Sequence, residues 1–256
     1  MLRAMKLLWL LLALAGTLKP DAAAVAAAKV PFPIAEWDAL LAKYVDGDGR
    51  VDYAALGREG AAAFERVFAG VAASSPKKEP ALYPRKTERE AYYLNAYNVL
   101  VWKSVLARLP GLTNIDAVSR SFFRDTRFLV GGEALSLNEL EARARTELGD
   151  PRIHFALNCA SRGCPRLPRE AFVARYVDAQ LDAETRKFCN ERRNVDFDAA
   201  SRRLRLSHIF DWYRDDFGGE PGKVIAWINR YRRDGATLPV DAKIEYVDYD
   251  WSLNIR

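Results

Sequence analysis

Apolar residues recur at helical spacing along most of the chain. Their spacing predicts helices over about 35–45, 54–73, 87–109, 137–148, 170–192, 209–217 and 223–231. Capping-box pairs mark two of the helix starts, Thr87 with Glu90 and Ser136 with Glu139. The helix over 87–109 is apolar on nearly every face, so we expect it to be central and buried.

Other stretches have the alternation and turn residues that are typical of strands. RFLVGGEALS at 127–136 predicts a hairpin around Gly131-Gly132, and VDFD with RLRLS predicts a second hairpin near 195–207. IHFAL at 153–157 and IEYVDYDWSLN at 244–254 are predicted to be strands. No repeat or long linker divides these elements. We therefore predict an α+β fold, a mostly helical single domain with a small mixed or antiparallel sheet.

The N-terminus has the pattern of a secretory signal peptide. A short basic segment, MLRAMK, precedes the apolar run Leu7–Leu18, and two Ala-x-Ala sites follow at 22–24 and 26–28. We predict a signal peptide over 1–28, cleaved near 24–28, and a single globular domain over 29–256. The protein is then exported, periplasmic or secreted, with no stable membrane insertion after cleavage.

Composition and charge narrow the function classes. Half of the residues are hydrophobic, which is enough for a sizeable core. Of the net charge of +5, Arg3, Lys6 and Lys19 against Asp21 account for two, so about +3 remains after cleavage. The basic residues are spread along the chain and mixed with acidic ones. We predict no nucleic-acid partner, because such a partner requires a concentrated basic patch.

The candidate chemistry lies in one stretch, IHFALNCASRGCP at 153–165. Cys159 follows the predicted strand and is the candidate nucleophile, with His154 or His208 as the base that activates its thiol. On an ideal strand, residues 154 and 159 point to opposite faces, so the two converge only if the chain bends near Asn158. The alternative is structural, with Cys159 as a small buried hydrophobe and His154 as a hydrogen-bonded core residue.

Two further alternatives involve both cysteines of the stretch. Four residues separate Cys159 from Cys164, which allows the Cα separation of about 4.4–6.8 Å that a disulfide needs. Such a bond over a short loop can be redox-active, although the familiar arrangement is Cys-x-x-Cys. Zinc needs three or four ligands drawn from the cysteines and histidines, and the paired Cys-x2-Cys spacing is missing. We therefore expect no metal and no cofactor.

Several motifs occur in an order that resembles a known family. They are AYYLNAYNVLVW (91–102), GGEALSLNELE (131–141), DPRIHFALNCAS (150–161) followed by CP, and HIFDWYRDDFG (208–218). Together they resemble the domain of unknown function 547 family, over roughly residue 35 to the C-terminus. The resemblance implies an exported bacterial member, without assigning a reaction.

The resemblance also implies which polar residues matter. The family's Asn-x-x-Asn helix is matched by Asn95 and Asn98, and its His-Phe-Ala-Leu-x-Cys segment by His154 and Cys159. The second cysteine is not a fixed feature of the family, so the resemblance disfavours Cys164 as an obligatory bridge or zinc ligand. Thiol, imidazole and amide together are the set used by cysteine hydrolases. A papain- or transglutaminase-like arrangement is an analogy only.

The leading hypothesis is an exported cysteine hydrolase or acyltransferase acting on an amide or ester in a small-molecule or peptide substrate. Cys159 is the predicted nucleophile and His154 the predicted base, while Asn95 or Asn98 orients the histidine or donates to an oxyanion. One alternative is a non-catalytic exported binding domain in which the cysteine and asparagines are structural. The other alternative is a thiol–disulfide exchange protein that uses Cys159 and Cys164.

Overall fold

A computed structural model describes residues 16–28, 32–233 and 236–256. Its α-helices are α1 (Ala22–Ala26), α2 (Ile34–Tyr44), α3 (Tyr53–Ala55), α4 (Ala61–Ala73), α5 (Lys86–Leu106), α6 (Leu137–Leu148), α7 (Val177–Asn190), α8 (Ile209–Trp212) and α9 (Pro221–Asn229). Its strands are β1 (Thr17–Leu18), β2 (Arg127–Val130), β3 (Glu133–Leu135), β4 (Val195–Asp198), β5 (Arg203–Ser207) and β6 (Lys243–Val247). The predicted α+β class is confirmed.

The predicted signal peptide lies largely outside the described residues. Residues 1–15, which include most of its apolar run, and residues 29–31 just after it are not described. Residues 16–28 contribute β1, which pairs in parallel with β2, and α1, which packs on α4. Signal cleavage stays a prediction.

The helices follow the apolar periodicity, with local corrections at their ends. The capping box at Ser136 and Glu139 is confirmed, because each side chain bonds the backbone N–H of the other. The pair Thr87–Glu90 is wrong, since α5 begins at Lys86 and Glu88 accepts from the N–H of Arg85. The helix predicted over 54–73 is interrupted by a π-helical turn at Leu56–Gly60.

The strands form two small sheets rather than one. In the first sheet β2 pairs antiparallel with β3 around Gly131-Gly132, and β1 adds in parallel. In the second sheet β4 pairs antiparallel with β5, and β6 adds in parallel on the other edge of β5. Both predicted hairpins are therefore confirmed. Only the start of IEYVDYDWSLN is a strand, and Ser252 and Leu253 near its end make isolated bridges to Asn114 and Ser161.

The core has two parts that meet beside the stretch 153–165. The larger part surrounds α5, whose residues from Glu90 to Trp102 are all buried. The smaller part is aromatic and packs Phe155 against α7, β5, α8 and α9. Leu157 and Ala160 belong to the larger cluster and Phe155 to the smaller one, so this stretch joins the two.

The prediction of a strand at IHFAL is wrong. Residues Pro151–Phe155 form a 3₁₀-helix, in which the Asp150 carboxylate accepts from the N–H of Arg152 and Pro151 occupies the first turn. A short apolar run does not distinguish a buried strand from a buried helical turn, because both hide every side chain. The parity objection to a meeting of His154 and Cys159 rested on that strand and is removed with it.

Candidate functional site

The chain turns sharply at Asn158, immediately before Cys159. The Asn158 carboxamide accepts from the N–H of Ala160 at 2.8 Å and donates to the carbonyl of Pro165 at 2.8 Å. Ala160 is fully buried and has a φ of 63°, a conformation that non-glycine residues rarely adopt. This turn closes residues 158–165 into a compact loop, which we call the disulfide loop.

Cys159 and Cys164 are joined by a disulfide across this loop, with a Cα separation of 6.2 Å. The sequence favoured a free thiol at Cys159, because the second cysteine is not fixed in the family, and the structure corrects that preference. The loop brings the two Cα atoms into the range a disulfide needs. The Cys159 residue is partly exposed, whereas Cys164 is buried.

Hydrogen-bond donors surround the two sulfurs asymmetrically. The N–H of Cys159 donates to the Sγ of Cys164 at 2.9 Å, and the hydroxyl of Tyr249 donates to the same sulfur at 3.2 Å. The Cys159 Sγ lies 3.0 Å from the Ser161 Oγ and 3.4 Å from the Tyr249 hydroxyl. Burial raises the pKa of Tyr249, so this hydroxyl keeps its proton and remains a donor.

A cavity of about 180 Å³ opens onto the disulfide. Its lining includes both cysteines and His154, together with the aromatic side chains of Tyr97, Phe123, Trp212, Tyr213, Tyr249 and Trp251. Trp212 is 46% exposed and packs against Tyr249 and Trp251, so the aromatic wall reaches the protein surface. This cavity, which we call the first cavity, is therefore mainly apolar, and its polar lining comes from Asn138, Glu141 and His154 besides the disulfide.

His154 lines this first cavity but is bonded to an acid rather than to a sulfur. Its side chain is buried, its Nε2 lies 2.6 Å from the Asp216 Oδ2, and its ring stacks on Tyr213 with a centroid distance of 3.8 Å. The pKa of Asp216 is lowered first by this hydrogen bond and then by Arg145, which donates to both carboxylate oxygens at 3.0 Å. An ionised Asp216 only accepts, so His154 donates through Nε2.

Asn95 and Asn98 lie deeper and bond backbone atoms. Asn95 donates to the carbonyl of Phe172 and accepts from the N–H of the same residue. Asn98 donates to the carbonyl of Ala156 and accepts from the N–H of Asn158. In the part of the chain that the structure describes, neither amide is hydrogen-bonded to His154. Asn98 instead anchors the backbone that leads into the disulfide loop.

The remaining sequence candidates lie around the site. His208 stacks on Trp212 and Tyr246 and has its Nδ1 3.7 Å from the Asp211 carboxylate. Cys189 is a fully buried free thiol in α7, and burial raises its pKa to about 12. No group of three or more His, Cys, Asp or Glu side chains within 16–28, 32–233 and 236–256 is arranged to hold a metal ion.

Three site residues were missed by sequence reasoning. They are Asp216, Tyr249 and Ser161. The Asp215-Asp216 pair has the pattern of an exposed helix surface, and Tyr249 is one of several aromatic residues in YVDYDW. Tyr249 reaches the sulfurs from 85 and 90 residues away in the sequence, and no local pattern reports such a contact.

The site lies within or beside a segment that matches a known family. The family model described as "Protein of unknown function, DUF547" matches residues 83–189, which include both α5 asparagines, His154 and the disulfide loop. Neither the comparison with curated proteins nor that with solved structures found a match. Among the described helices, none is long and apolar enough to cross a bilayer. The resemblance to the domain of unknown function 547 family is thus confirmed over residues 83–189, and the motif at 208–218 lies outside the matched segment.

Proposed function

We propose that this protein is an exported thiol–disulfide exchange protein whose reactive bond joins Cys159 and Cys164. The observation that carries the proposal is the asymmetry of the bond. The partly exposed residue Cys159 lines an open cavity, while the buried sulfur of Cys164 accepts from the Cys159 N–H and the Tyr249 hydroxyl. An export compartment is also where a disulfide persists.

The exchange proceeds in two balanced steps. A thiolate of a partner dithiol attacks the Cys159 Sγ, a mixed disulfide forms, and the electron pair of the broken bond leaves on the Cys164 Sγ. The second thiolate of the partner then attacks the partner's own sulfur and releases Cys159 as a thiolate. The partner is oxidised to a disulfide and this chain is reduced to a dithiol, with the thiolates taking protons from water.

The donors around Cys164 favour this direction of attack. A leaving thiolate departs faster when its pKa is low, and hydrogen bonds to the charged form lower that pKa. The Cys159 N–H and the Tyr249 hydroxyl both point at the sulfur where the charge develops. Losing one hydrogen bond to a charged group costs about 1.5 kcal/mol, which corresponds to about tenfold in rate.

The test measures which sulfur reacts in the native protein. A reduced dithiol peptide is added to the oxidised chain, mixed disulfides are trapped by acid, and their position is determined by mass spectrometry. We expect adducts on Cys159, with Tyr249→Phe reducing the exchange rate about tenfold. Phenylalanine keeps the ring that packs on Trp212 and Trp251, so the variant removes only the hydroxyl, which also accepts from the Ser161 hydroxyl.

Cys189 provides the control within the same chain. It is fully buried with a raised pKa, so it stays unmodified for as long as the protein is folded. The proposal would be overturned by a disulfide that opens only when Cys189 becomes reactive, because the bond would then be structural. That outcome would favour the non-catalytic binding domain.

The second candidate function is the cysteine hydrolase or acyltransferase, acting in the reduced state. What supports it is the His154–Asp216 pair, whose imidazole lines the same cavity as Cys159. A free Cys159 thiol would be the nucleophile, His154 the base and Asp216 the group that orients the imidazole. The amides of Asn95 and Asn98 bond backbone atoms, so this version assigns the orienting role to Asp216.

The two candidate functions are separated by an electrophilic thiol probe applied to the reduced protein. The hydrolase predicts rapid labelling of wild type, none of Cys159→Ala, and slow labelling of His154→Gln and Asp216→Asn. The exchange protein predicts that His154→Gln leaves the labelling rate of reduced Cys159 within about twofold of wild type. Equal labelling of wild type and Cys159→Ala would contradict both.

A further inference from the structure

A second cavity, of about 310 Å³, lies on the other side of the disulfide loop. It shares Cys164 and Pro165 with the first cavity, so one segment of the loop forms a wall of each. Its lining is polar and rich in cations, with four arginines against two aspartates: Arg50, Arg162, Arg166, Arg193, Asp48 and Asp250. The charge on this side of the disulfide is therefore positive.

The four arginines differ in whether an acidic side chain of the protein already pairs with them. Arg166 bonds Glu191 at 2.6 Å and also pairs with Asp48, and Arg193 bonds Glu191 at 2.7 Å. Arg193 also donates to the carbonyls of Arg162 and Cys164, which places it as part of the wall. Arg50 and Arg162, in contrast, make no ion pair with any residue of the described ranges, and both are exposed.

Asp250 is the acid that competes for these free cations. Its carboxylate accepts from the N–H of Ser252 at 2.9 Å. The pKa of Asp250 is lowered, first by Ser252 and more weakly by the charges of Arg162 and Arg193. It is therefore ionised and held by its own turn, and it balances only part of the charge of Arg50 and Arg162.

The floor of the second cavity is built from buried polar side chains. Asn158, Ser161 and Asn254 are each at most 4% exposed. The Ser161 hydroxyl lies 3.0 Å from the Cys159 Sγ and lines the second cavity, so it connects the cationic side of the loop to the reactive sulfur. A ligand in the second cavity would thus lie next to the bond that the proposed exchange breaks.

We propose that the second cavity binds a carboxylate side chain of an acidic peptide substrate whose cysteine exchanges with Cys159 in the first cavity. Arginine is suited to this task, because its planar guanidinium binds a carboxylate through two parallel hydrogen bonds. The two cavities are separated by one segment of the loop, so the carboxylate belongs to a residue within about three positions of the cysteine in an extended peptide. The specificity part of this inference rests on the proposed exchange function.

The experiment uses two pairs of reduced peptides that differ in one group. One pair carries glutamate or glutamine two residues before the cysteine, and the other pair carries them two residues after it. The rate of mixed-disulfide formation at Cys159 is measured with each peptide at low and at high ionic strength. In at least one pair, we expect the glutamate peptide to react about tenfold faster at low salt, and the preference to shrink at high salt.

Substitutions in the second cavity then test whether its arginines cause the preference for the glutamate peptide. The double variant Arg50→Ala/Arg162→Ala should lose the glutamate preference, so that the ratio of the glutamate rate to the glutamine rate falls to about one. Arg202→Ala is the matched control, because it removes an exposed arginine beside the β4–β5 turn that lines neither cavity. Equal rates for both members of both pairs with wild type, or a preference that survives in the double variant, would overturn the inference.

Binding is also measured without the reaction. Glutamate and glutamine peptides with serine in place of cysteine are titrated into the oxidised protein, and the fluorescence of Trp212 and Trp251 reports occupancy of the first cavity. We expect tighter binding of the glutamate peptide and loss of that difference in Arg50→Ala/Arg162→Ala. Slow exchange with every cysteine peptide would refute the proposed function, while this titration would still decide whether the carboxylate is bound.

Discussion

Two polar regions of the domain use their hydrogen bonds in opposite ways. Asn95 and Asn98 are almost completely buried, and each amide bonds a donor and an acceptor of another segment's backbone. Around the disulfide, by contrast, the hydroxyls of Ser161 and Tyr249 and the N–H of Cys159 point at two sulfurs beside an open cavity. The first region connects segments of the fold, and the second directs donors at the disulfide.

The difference shows that residues belonging to one family's sequence motifs can have different structural roles. The resemblance placed Asn95, Asn98, His154 and Cys159 in one polar set. In the structure Asn98 supports the backbone beside Cys159, whereas Asn95 bonds Phe172. The Asn98 carbonyl oxygen accepts from the N–H of Asn158, the residue that turns the chain into the disulfide loop. The Asn98 amide therefore supports the site indirectly, because it fixes the turn at Asn158 without lining the cavity.

The largest expected effect is on stability, in the asparagine region. Asn95→Ala should lower the free energy of unfolding by about 3 kcal/mol, because it leaves the N–H and the carbonyl of Phe172 buried without their partner. Chemical denaturation measures the loss. Asn138→Ala, an exposed amide on α6, is the control and should cost less than about 0.5 kcal/mol.

The same variant also tests the separation of the two regions. Below its unfolding transition, Asn95→Ala should exchange thiols at Cys159 at the wild-type rate, since Asn95 contacts Phe172 rather than the disulfide loop. A tenfold change in that rate without a stability loss would contradict the comparison, because it would place Asn95 in the reactive site.

A smaller loss is expected when the disulfide is removed. The bond closes a loop between residues 159 and 164, and the chain-entropy relation gives about 2 kcal/mol for a loop of this length. Reduced wild type and the double variant Cys159→Ser/Cys164→Ser should therefore unfold at similar, lower denaturant concentrations than oxidised wild type. Identical midpoints for oxidised and reduced wild type would show that the bond contributes nothing to the fold.

The smallest expected effect concerns acid stability at Asp216. The folded-state pKa of Asp216 is lowered by His154 and Arg145, so its contribution is present above the unfolded-state pKa of about 4 and is lost as the pH falls below it. From pH 7 to pH 3, wild type should lose on the order of 1 kcal/mol more than Asp216→Asn, because the carboxylate is partly exposed and screened.

The adjacent residue supplies the control for this measurement. Asp215→Asn removes an exposed carboxylate that forms no ion pair within the described part of the chain, and it should keep the wild-type acid dependence. If Asp215→Asn and Asp216→Asn flatten the profile equally, the effect comes from net charge rather than from the pair with His154.

Sequence periodicity predicted the fold well where elements are long or have distinctive turns. The helix over 87–109, the hairpin at Gly131-Gly132 and the capping box at Ser136 all carry their information locally, in spacing or in a turn residue. Prediction failed at IHFAL, since a five-residue apolar run fits any fully buried element. It also failed at Thr87, where the helix begins at the preceding residue, Lys86.

The sequence pointed to the cysteine and the histidine of the candidate site, but not to the residues that bond them. His154 and Cys159 stand out because histidine and cysteine are rare in this chain. Asp216 and Tyr249 are an aspartate among many acids and a tyrosine among many aromatics, and only the tertiary fold brings them to the site. The disulfide depended on the turn at Asn158, which spacing alone does not specify.

The disulfide loop depends on hydrogen bonds from the C-terminal segment, which is synthesised last. Ser252 and Asp250 accept from the N–H groups of Arg162 and Gly163, and Asn254 donates to the carbonyl of Ala160. A nascent chain that has released Cys164 but not Tyr249 therefore has both cysteines without the Tyr249 hydroxyl and without the backbone hydrogen bonds from residues 250–254. Both thiols are therefore synthesised before the side chain that contacts them in the folded protein. That side chain, Tyr249, is translated 90 positions after Cys159.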